Sequence, residues 1–395
     1  MAAAGGAQKD TYGISFAGAT SAENTYVVEG LNTTDTGFGT LSSDLPNEFI
    51  QETEVITGGY NAEYGRATGA IVNVVTKSGS NALHGSVFGH FSPRVFSADA
   101  EAIRREGTAI DRSTNQDYRY DLGAELGGPI IKDKLWFHVG FTPTFTRSTT
   151  TRIISHNVDA NDDGIADKDA QTGFTQREEV ARRDIPSNFQ TYFFTAKLTG
   201  AISANHQWQI TGWGNPQRAD AMFATVRDPS SARARTDQGA YDLSAKWTSK
   251  LGDGKTQVDA VVGFHNGYNN AKPLSAADDV AGVRYDYTRS LYDFADLEGG
   301  GIEACSDGPN DRYKKIVNCP VLSYTDRGLG FLEDRTNNRT SALVSVTRRV
   351  KAAGQHIFKA GIDAELSSYN SGRRFSGGSF LVRNEAGSTR TSRWT

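Results

Sequence analysis

The chain has no apolar run long enough for a transmembrane helix, which takes about 18 or more residues with few charges, and its mean hydropathy is −0.49. Helical membrane spans are excluded, but a membrane is not. Barrel strands alternate lipid-facing and lumen-facing residues, so their average hydropathy looks soluble. Hydrophobic residues are 37% of the 395, and methionine is down to two, below the usual globular share. Only two cysteines occur, and no CxxC metal or redox spacing is present. A net charge of −4 offers no footprint for nucleic acid. The seven histidines (84, 90, 138, 156, 206, 265 and 356) lack HExxH spacing, and neither a G-x-S-x-G elbow nor a P-loop occurs, so catalysis finds no support. The opening MAAAGGAQKD has no basic or apolar region and is not a signal peptide. It reads as an internal start.

What is abundant is glycine, 42 residues, and aromatics, with 20 Phe, 15 Tyr and 5 Trp. The organising stretch is Glu54–Gly79, EVITGGYNAEYGRATGAIVNVVTKSG. Ala70 to Val75 is a β-branched run with strand propensity. Gly58, Gly59, Gly65 and Gly69 punctuate the approach, implying tight turns and close backbone contact, and Thr76 to Gly79 closes it with turn residues. Periodicity alone gives a strand with a glycine-rich lead-in, common to many folds.

The full string resembles the end of the plug domain of TonB-dependent outer-membrane receptors, where the plug hands over to the first barrel strand. Tyr26-Val27-Val28-Glu29-Gly30-Leu31-Asn32 resembles the plug's Y-x-V-D-G-x-N turn, with Glu29 in place of Asp. The motif positions are Tyr26, Glu29, Gly30, Asn32, Gly58, Gly59, Tyr64, Gly65, Gly69, Asn73, Lys77 and Gly79. The continuation LHGSVFGHF (83–91) is similar to the Oar-like branch. The resemblance covers residues 12–150 most strongly. It implies a bacterial outer-membrane location and uptake of an extracellular ligand with energy from TonB. It also implies that part of the plug and the TonB-gripped box lie outside these residues.

The expected fold is mostly β. A partial α+β plug occupies residues 1–79, with short strands at Tyr12–Phe16 and Thr25–Val28, a helical turn at 46–51 and a strand near Glu54–Thr57. Part of an antiparallel transmembrane β-barrel, about nine strands, occupies 80–395. From Leu83 the chain alternates with period two: Leu135, Phe137, Val139 and Phe141 on one face, His138, Gly140 and Thr142 on the other. A soluble antiparallel sandwich alternates in the same way. The connections separate the two, because short turns (near 128–135, 203–206, 252–255 and 352–355) alternate with long polar stretches (97–118, 153–190, 215–238 and 269–339). That is the periplasmic-turn and extracellular-loop asymmetry of outer-membrane barrels. Pro216, Pro229, Pro273 and Pro309 fall in the long stretches, where a missing N–H costs no ladder bond. The family barrel has roughly 22 strands, so fewer than half are expected here, with no closed pore.

Asp159, Asn161, Asp163, the Ile165 carbonyl and Asp167 follow the start of a calcium loop, with Gly164 at the sharp turn. Ala170 stands where an EF-hand has its bidentate Glu, so an extracellular Ca²⁺ module and a plain acidic loop both fit; no cofactor is otherwise required. Cys305 and Cys319, with 13 residues between them, are expected to pair in an oxidising compartment, stabilising by roughly 3 kcal/mol. The expected partners are outer-membrane lipid, the TonB complex and an unidentified extracellular ligand. A surface-adhesion or secretion-linked barrel without energised uptake is the rival reading.

Overall fold

The computed structural model describes residues 8–9, 14–16, 18–61, 63–65, 68–102, 104–222, 233–384 and 389–393. Near the N-terminus, β1 (Thr25–Val28), β2 (Leu31–Asn32), β3 (Ile50–Ile56) and β4 (Ile71–Thr76) form one small mixed sheet in the order β2-β1-β4-β3. β1 runs parallel to β4, and β3 pairs antiparallel to it. The β-branched run of β4 is therefore central, where such residues pack on both sides, and Tyr26, Ala70 and Val72 close a buried cluster with Phe16. The helical turn before β3 is a single 3-10 turn, Asn47–Phe49. Ile14–Ser15 pairs with Gln8–Lys9, while Tyr12 lies outside the described residues.

The rest is one long antiparallel meander. Its strands are β5 (His84–Pro93), β6 (Ile110–Ile131), β7 (Leu135–Asn157), β8 (Arg177–Ser203), β9 (His206–Gly214), β10 (Gln217–Met222), β11 (Arg233–Leu251) and β12 (Thr256–Pro273). After an elaborated connection, which contributes β13 (Gly282–Asp286) and β14 (Tyr324–Asp326), come β15 (Phe331–Lys351) and β16 (Gln355–Phe375). The wall reads β16-β15-β12-β11-β9-β8-β7-β6-β5, with β10 prolonging β9 between β8 and β11. Every neighbour in it follows the chain, as hairpin connections require.

The two faces differ in chemistry. The inner face, turned to the N-terminal sheet, buries His138, Thr195, Lys197, Thr211, Asp242 and His265. The outer face exposes Val139, Phe141, Leu198, Leu243, Val262 and Phe264. Exposed apolar residues over several strands would be a fault in water; against lipid they are what the bilayer requires.

The long polar stretches are not the plain loops that their sequence predicts. β7 has 23 residues and β8 has 27, whereas about 9–11 suffice to cross a membrane. The strands continue past the apolar band, with Ser148 to Thr151 paired to residues 184–187. Above lipid the outer face meets water and the inner face is covered in part by an outer connection, so the apolar alternation stops while the β-branched threonines keep the chain extended. Pro216 likewise sits inside the wall, between β9 and β10, and Pro273 ends β12; Pro229 lies outside the described residues.

The connection between β12 and β15 folds back onto the inner face of β6 and β7. Leu291, Phe294, Cys305, Cys319 and Tyr324 pack there with Ile110 and Ile154. Cys305 and Cys319 are disulfide-bonded. Arg152, from β7, donates to both carboxylate oxygens of Glu298 at 2.5 and 2.7 Å, and both side chains are fully buried. Tyr324 donates a further bond of 2.7 Å to the same carboxylate. β13 pairs with β14 and, in parallel, with β17 (Ser379–Asn384), to which β18 (Thr389–Arg393) adds. Two outer connections thus share one sheet.

The contact between the N-terminal sheet and the wall depends on small residues. A Cβ on Gly140 would stand 2.5 Å from the Phe49 ring, which is fully buried. Gly140→Val is expected to cost about 1–3 kcal/mol by overpacking. Phe49→Ala is expected to cost more, about 3–5 kcal/mol. In the double variant the costs fall short of additivity, because the cavity receives the added methyls. Calorimetric unfolding in detergent, carried through the double-mutant cycle, measures this.

Candidate functional site: a polar seam between inner sheet and wall

The β1–β2 turn is made by Glu29 (φ 52°) and Gly30 (φ 78°). Two consecutive positive φ values define the tight hairpin turn that favours glycine at its second position. The turn drives the Glu29 carboxylate into the wall. Oε1 accepts from the Thr76 amide (2.6 Å), the Thr76 hydroxyl (2.6 Å) and the Lys197 ammonium (2.9 Å). Oε2 accepts from the Gln209 amide at 2.6 Å. Lys197 also donates to the Thr76 carbonyl (3.1 Å), and Ser244 donates to the Glu29 carbonyl (3.0 Å). One carboxylate thereby ties β1, β4, β8 and β9, with β11 joined through the backbone. Burial pushes the Glu29 carboxyl upward, but the Lys197 charge and the Thr76 and Lys197 hydrogen bonds outweigh it, holding the group below its ordinary 4.5.

Further contacts continue the seam. Ser43 donates to Asp242 Oδ2 at 2.7 Å, and Trp213 Nε1 donates to Ser43 Oγ at 3.0 Å. His265 Nδ1 lies 2.7 Å from Asp242 Oδ1, and its Nε2 lies 3.0 Å from Ser42 Oγ. This line of Ser, His and Asp has the hydrogen-bond order of a hydrolytic triad. Here the other Asp242 oxygen holds Ser43, and His265 is fully buried, so the arrangement fastens two serines and does not present a nucleophile. On β15, Arg339 donates to the Asn32 and Thr34 carbonyls, each at 2.9 Å, and Asn337 donates to Asp35 at 2.9 Å. At the other side of the seam, Lys77 donates to Glu125 at 2.7 Å, and His138 stands 3.3 Å from the same carboxylate.

The sequence motif divides on this seam. Glu29, Gly30, Asn32 and Lys77 belong to it; Asn32 reaches Glu365 at 3.1 Å. Tyr26 is in the small sheet's core, and Asn73 lies on β4, opposite Val27 and Glu54. Gly69 and Gly79 are sites of close approach. A Cβ on Gly69 would press on Glu23 and Asn24, and one on Gly79 would fall 2.3 Å from the Phe137 carbonyl oxygen. Gly58, Gly59 and Gly65 meet nothing within 4 Å, although Gly59 takes a positive φ of 66°. Tyr64 is half-buried, its amide donating to the Asn61 carbonyl, and its neighbour Glu63 pairs with Lys359 of β16. Trp213, Asp242, His265 and Arg339 were not singled out in the sequence. They come from four strands, and only the register aligns them.

The acidic loop follows β7. Both Asp159 oxygens accept backbone amides, from Asp163 (3.1 Å) and Gly164 (3.0 Å). Asp163 accepts from the Ile165 amide and Asp167 from the Ala160 amide, while Asn161 donates to Asp163. Lys315, from the disulfide-bonded connection, pairs with Asp162 at 3.0 Å. Among the described residues, no group of three or more His, Cys, Asp or Glu converges as a metal site would. The donors present are oxygens suited to Ca²⁺, and loading them would mean turning Asp159 away from its amides.

Comparison with known proteins gives consistent matches. Residues 75–251 match the family described as outer membrane beta barrel domain. The chain is similar to the TonB-dependent transporter Oar of Myxococcus xanthus, 36% identical over 400 residues, which is 95% of this chain and 37% of that relative. In fold it is similar to the outer membrane transporter YddB from Escherichia coli, with a TM-score of 0.55 at 15% identity, covering 96% of this chain and 46% of that one. The chain therefore spans less than half the length of these relatives. The Oar likeness and the barrel match place it in the bacterial outer membrane.

The seam makes a prediction about acid. A carboxyl held below 4.5 in the folded state contributes fully above that value, and the contribution drains away as pH falls through the lower folded pKa. Exchange of the Thr76 amide, corrected for its intrinsic rate, is expected to accelerate in acid. In Glu29→Gln the exchange is faster at neutral pH and the acid step disappears. Glu29→Ala, which leaves Lys197 buried and unpaired, is expected to cost about 3–5 kcal/mol. Hydrogen-exchange mass spectrometry from neutral pH to below 4.5 checks all three.

Proposed function

We propose, taking the chain as a homologous stretch of an Oar-like TonB-dependent outer-membrane receptor, that it helps bind an extracellular ligand and admit it through a plugged barrel on energy relayed by TonB. The N-terminal sheet is then the part of the plug that blocks the lumen. The observation that carries this reading is the chemistry of the seam. An inert plug is best held by an apolar core, whereas this one meets the wall largely through hydrogen-bonded charges and serines. Such contacts can be exchanged for water when broken, since the net worth of each is about 0.5–3 kcal/mol, the larger values belonging to the charged groups. A seam of that kind suits a plug that must shift and reseat. Toward the outside, the 35–43 segment lies against β15 and β16, with Arg335 over the Phe38 ring at 4.8 Å. Phe38 is exposed, and we assign it to first contact with the ligand.

The test uses one cysteine at Ser43, which is buried against Asp242 and Trp213. In intact cells a membrane-impermeant maleimide is expected to label Ser43→Cys while the inner membrane is energised. Labelling is expected to fall to background after an uncoupler or in cells without TonB. Equal labelling with and without energy would favour the adhesion or secretion-linked reading, in which the plug moves independently of TonB.

We also propose Ca²⁺ as the ligand of the 159–169 loop, through Asp159, Asn161, Asp163, the Ile165 carbonyl and Asp167. Calorimetric titration of the purified protein is expected to show millimolar binding, as is usual for extracellular modules, that Mg²⁺ does not reproduce. Asp159→Ala with Asp163→Ala is expected to remove it. No calcium-dependent heat would leave an acidic loop held by Lys315 and its own amides.

A further inference from the structure

We propose that the periplasmic end of the wall holds a two-phosphate phospholipid of the inner leaflet. Its head lies on the adjoining β11–β12 and β15–β16 turns, and one acyl chain lies in a groove above them. The two turns touch, since the Arg349 amide donates to the Lys255 carbonyl at 2.8 Å and the Arg348 guanidinium donates to the Thr256 hydroxyl. Together they present Lys250, Lys255, Arg348, Arg349 and Lys351, all exposed. The turns themselves carry one carboxylate, Asp253. Asp259, further along β12, already accepts from Thr248 and Gln257, each at 2.8 Å, and Lys359 is taken by Glu63. With both aspartates counted, five cations face two carboxylates. Among the described residues none of the five is in an ion pair. Like charges set side by side repel, so this surplus calls for anions from outside the chain.

The level of the turns identifies the anion. Short turns close the periplasmic end of such a wall, and here Leu251, Thr256, Arg348 and Phe358 lie directly opposite one another across four strands. From that row up to the row of Leu243, Phe264, Thr340 and Leu366, the outward positions of these strands carry no other charge. Arg348 thus marks the lower edge of the lipid-facing band, where the phosphates of the inner leaflet stand. Lys and Arg lay their stems along apolar surface and keep their heads at the interface. Leu251 and Phe358 stay exposed beside the cations, which suits a lipid and not a soluble polyanion.

Above the turns the outer face is hollowed for a chain. The small Ala245 and Ala260 sit among Trp208, Ile210, Trp247 and Val262, leaving a cavity of about 480 Å³. Trp208 stands over Gly200, where a Cβ would fall 2.3 Å from the ring, and Trp247 is fixed by its Nε1 donating to Ser249 at 2.7 Å. The paired Trp247 and Ala260 lie four residues above Leu251 and Thr256, about 13 Å at the rise of a strand. That spacing sets phosphates on the turns and acyl carbons between the rings. A one-phosphate head would meet one of the surplus charges, whereas two phosphates bridged through glycerol reach both turns.

The test is native mass spectrometry of the full-length protein, extracted from outer membranes and stripped of lipid. It is offered diphosphatidylglycerol, phosphatidylglycerol or phosphatidylethanolamine, with inorganic phosphate as competitor. A retained adduct is expected with diphosphatidylglycerol, a weaker one with phosphatidylglycerol and none with phosphatidylethanolamine. Lys255→Ala with Arg348→Ala is expected to weaken it about tenfold, or roughly 1.4 kcal/mol. Ala260→Trp, which fills the groove and leaves every cation in place, is expected to weaken it as well. Lys132→Ala with Lys134→Ala, on the turn between β6 and β7, is expected to leave it unchanged, which separates this site from basic turns in general. Equal adducts with either other lipid, displacement by inorganic phosphate, an equal loss in the Lys132 and Lys134 variant, or an unchanged adduct in Ala260→Trp or in the Lys255 and Arg348 variant would each overturn the proposal.

Discussion

A carboxylate taken out of water must have its lone pairs filled, or it will not stay charged. Glu29 meets that demand only when the β1–β2 turn, the end of β4 and two wall strands are all in place at once. Much else follows from this one group. It fixes the depth of the hairpin tip, and so brings Ser42, Ser43 and Asp35 opposite Asp242, His265 and Asn337. It also gives Lys197 a partner that lets its charge be buried in the inner face of the wall.

The seam and the outer cap are built in opposite ways. Along the seam, polar contacts are spread over many strands, and the apolar component is small: Val28, Leu31 and Trp213 form its principal buried cluster. The cap over β6 and β7 has a larger apolar core, a disulfide and a fully buried Arg152–Glu298 pair. Removing either partner of such a pair costs about 3–5 kcal/mol, because a charge is left behind in the interior. One contact surface is suited to yielding and the other to holding, the division that the proposed function requires.

The strands of the wall were legible wherever lipid imposes alternation, as in Leu135–Phe145, and the small sheet was legible from its β-branched run and motif. The fold class follows from these two features. The upper halves of β7 and β8 were not legible, because their outer face meets water and the residues that cover the inner face of β7 come from a distant connection, so no apolar alternation shows. The seam was half legible. Glu29, Gly30, Asn32 and Lys77 carry a family pattern, but Trp213, Asp242, His265 and Arg339 each look like ordinary polar-face residues until the register is known. Arg152 gave no signal, since its partner Glu298 lies 146 positions away in a connection whose sequence shows no period.

The meander has one more consequence, for the order in which the chain can organise itself. Neighbouring wall strands follow one another along the chain, through short turns at one end and longer connections at the other, and the entropy cost of closing a loop grows only slowly with its length. The seam works differently. Asn32 meets Glu365 across 333 positions, and Asp35 meets Asn337 across 302. Contacts of such separation form late, after the intervening chain has been ordered. Residues of the N-terminal sheet, made before the wall, are thus among the last to find their partners. Until β15 and β16 are laid down, Arg339 and Glu365 are missing from the receiving surface. A plug placed before its barrel in the sequence must wait, incompletely docked, for the wall that will hold it, and that interval is when it most needs a chaperone's protection.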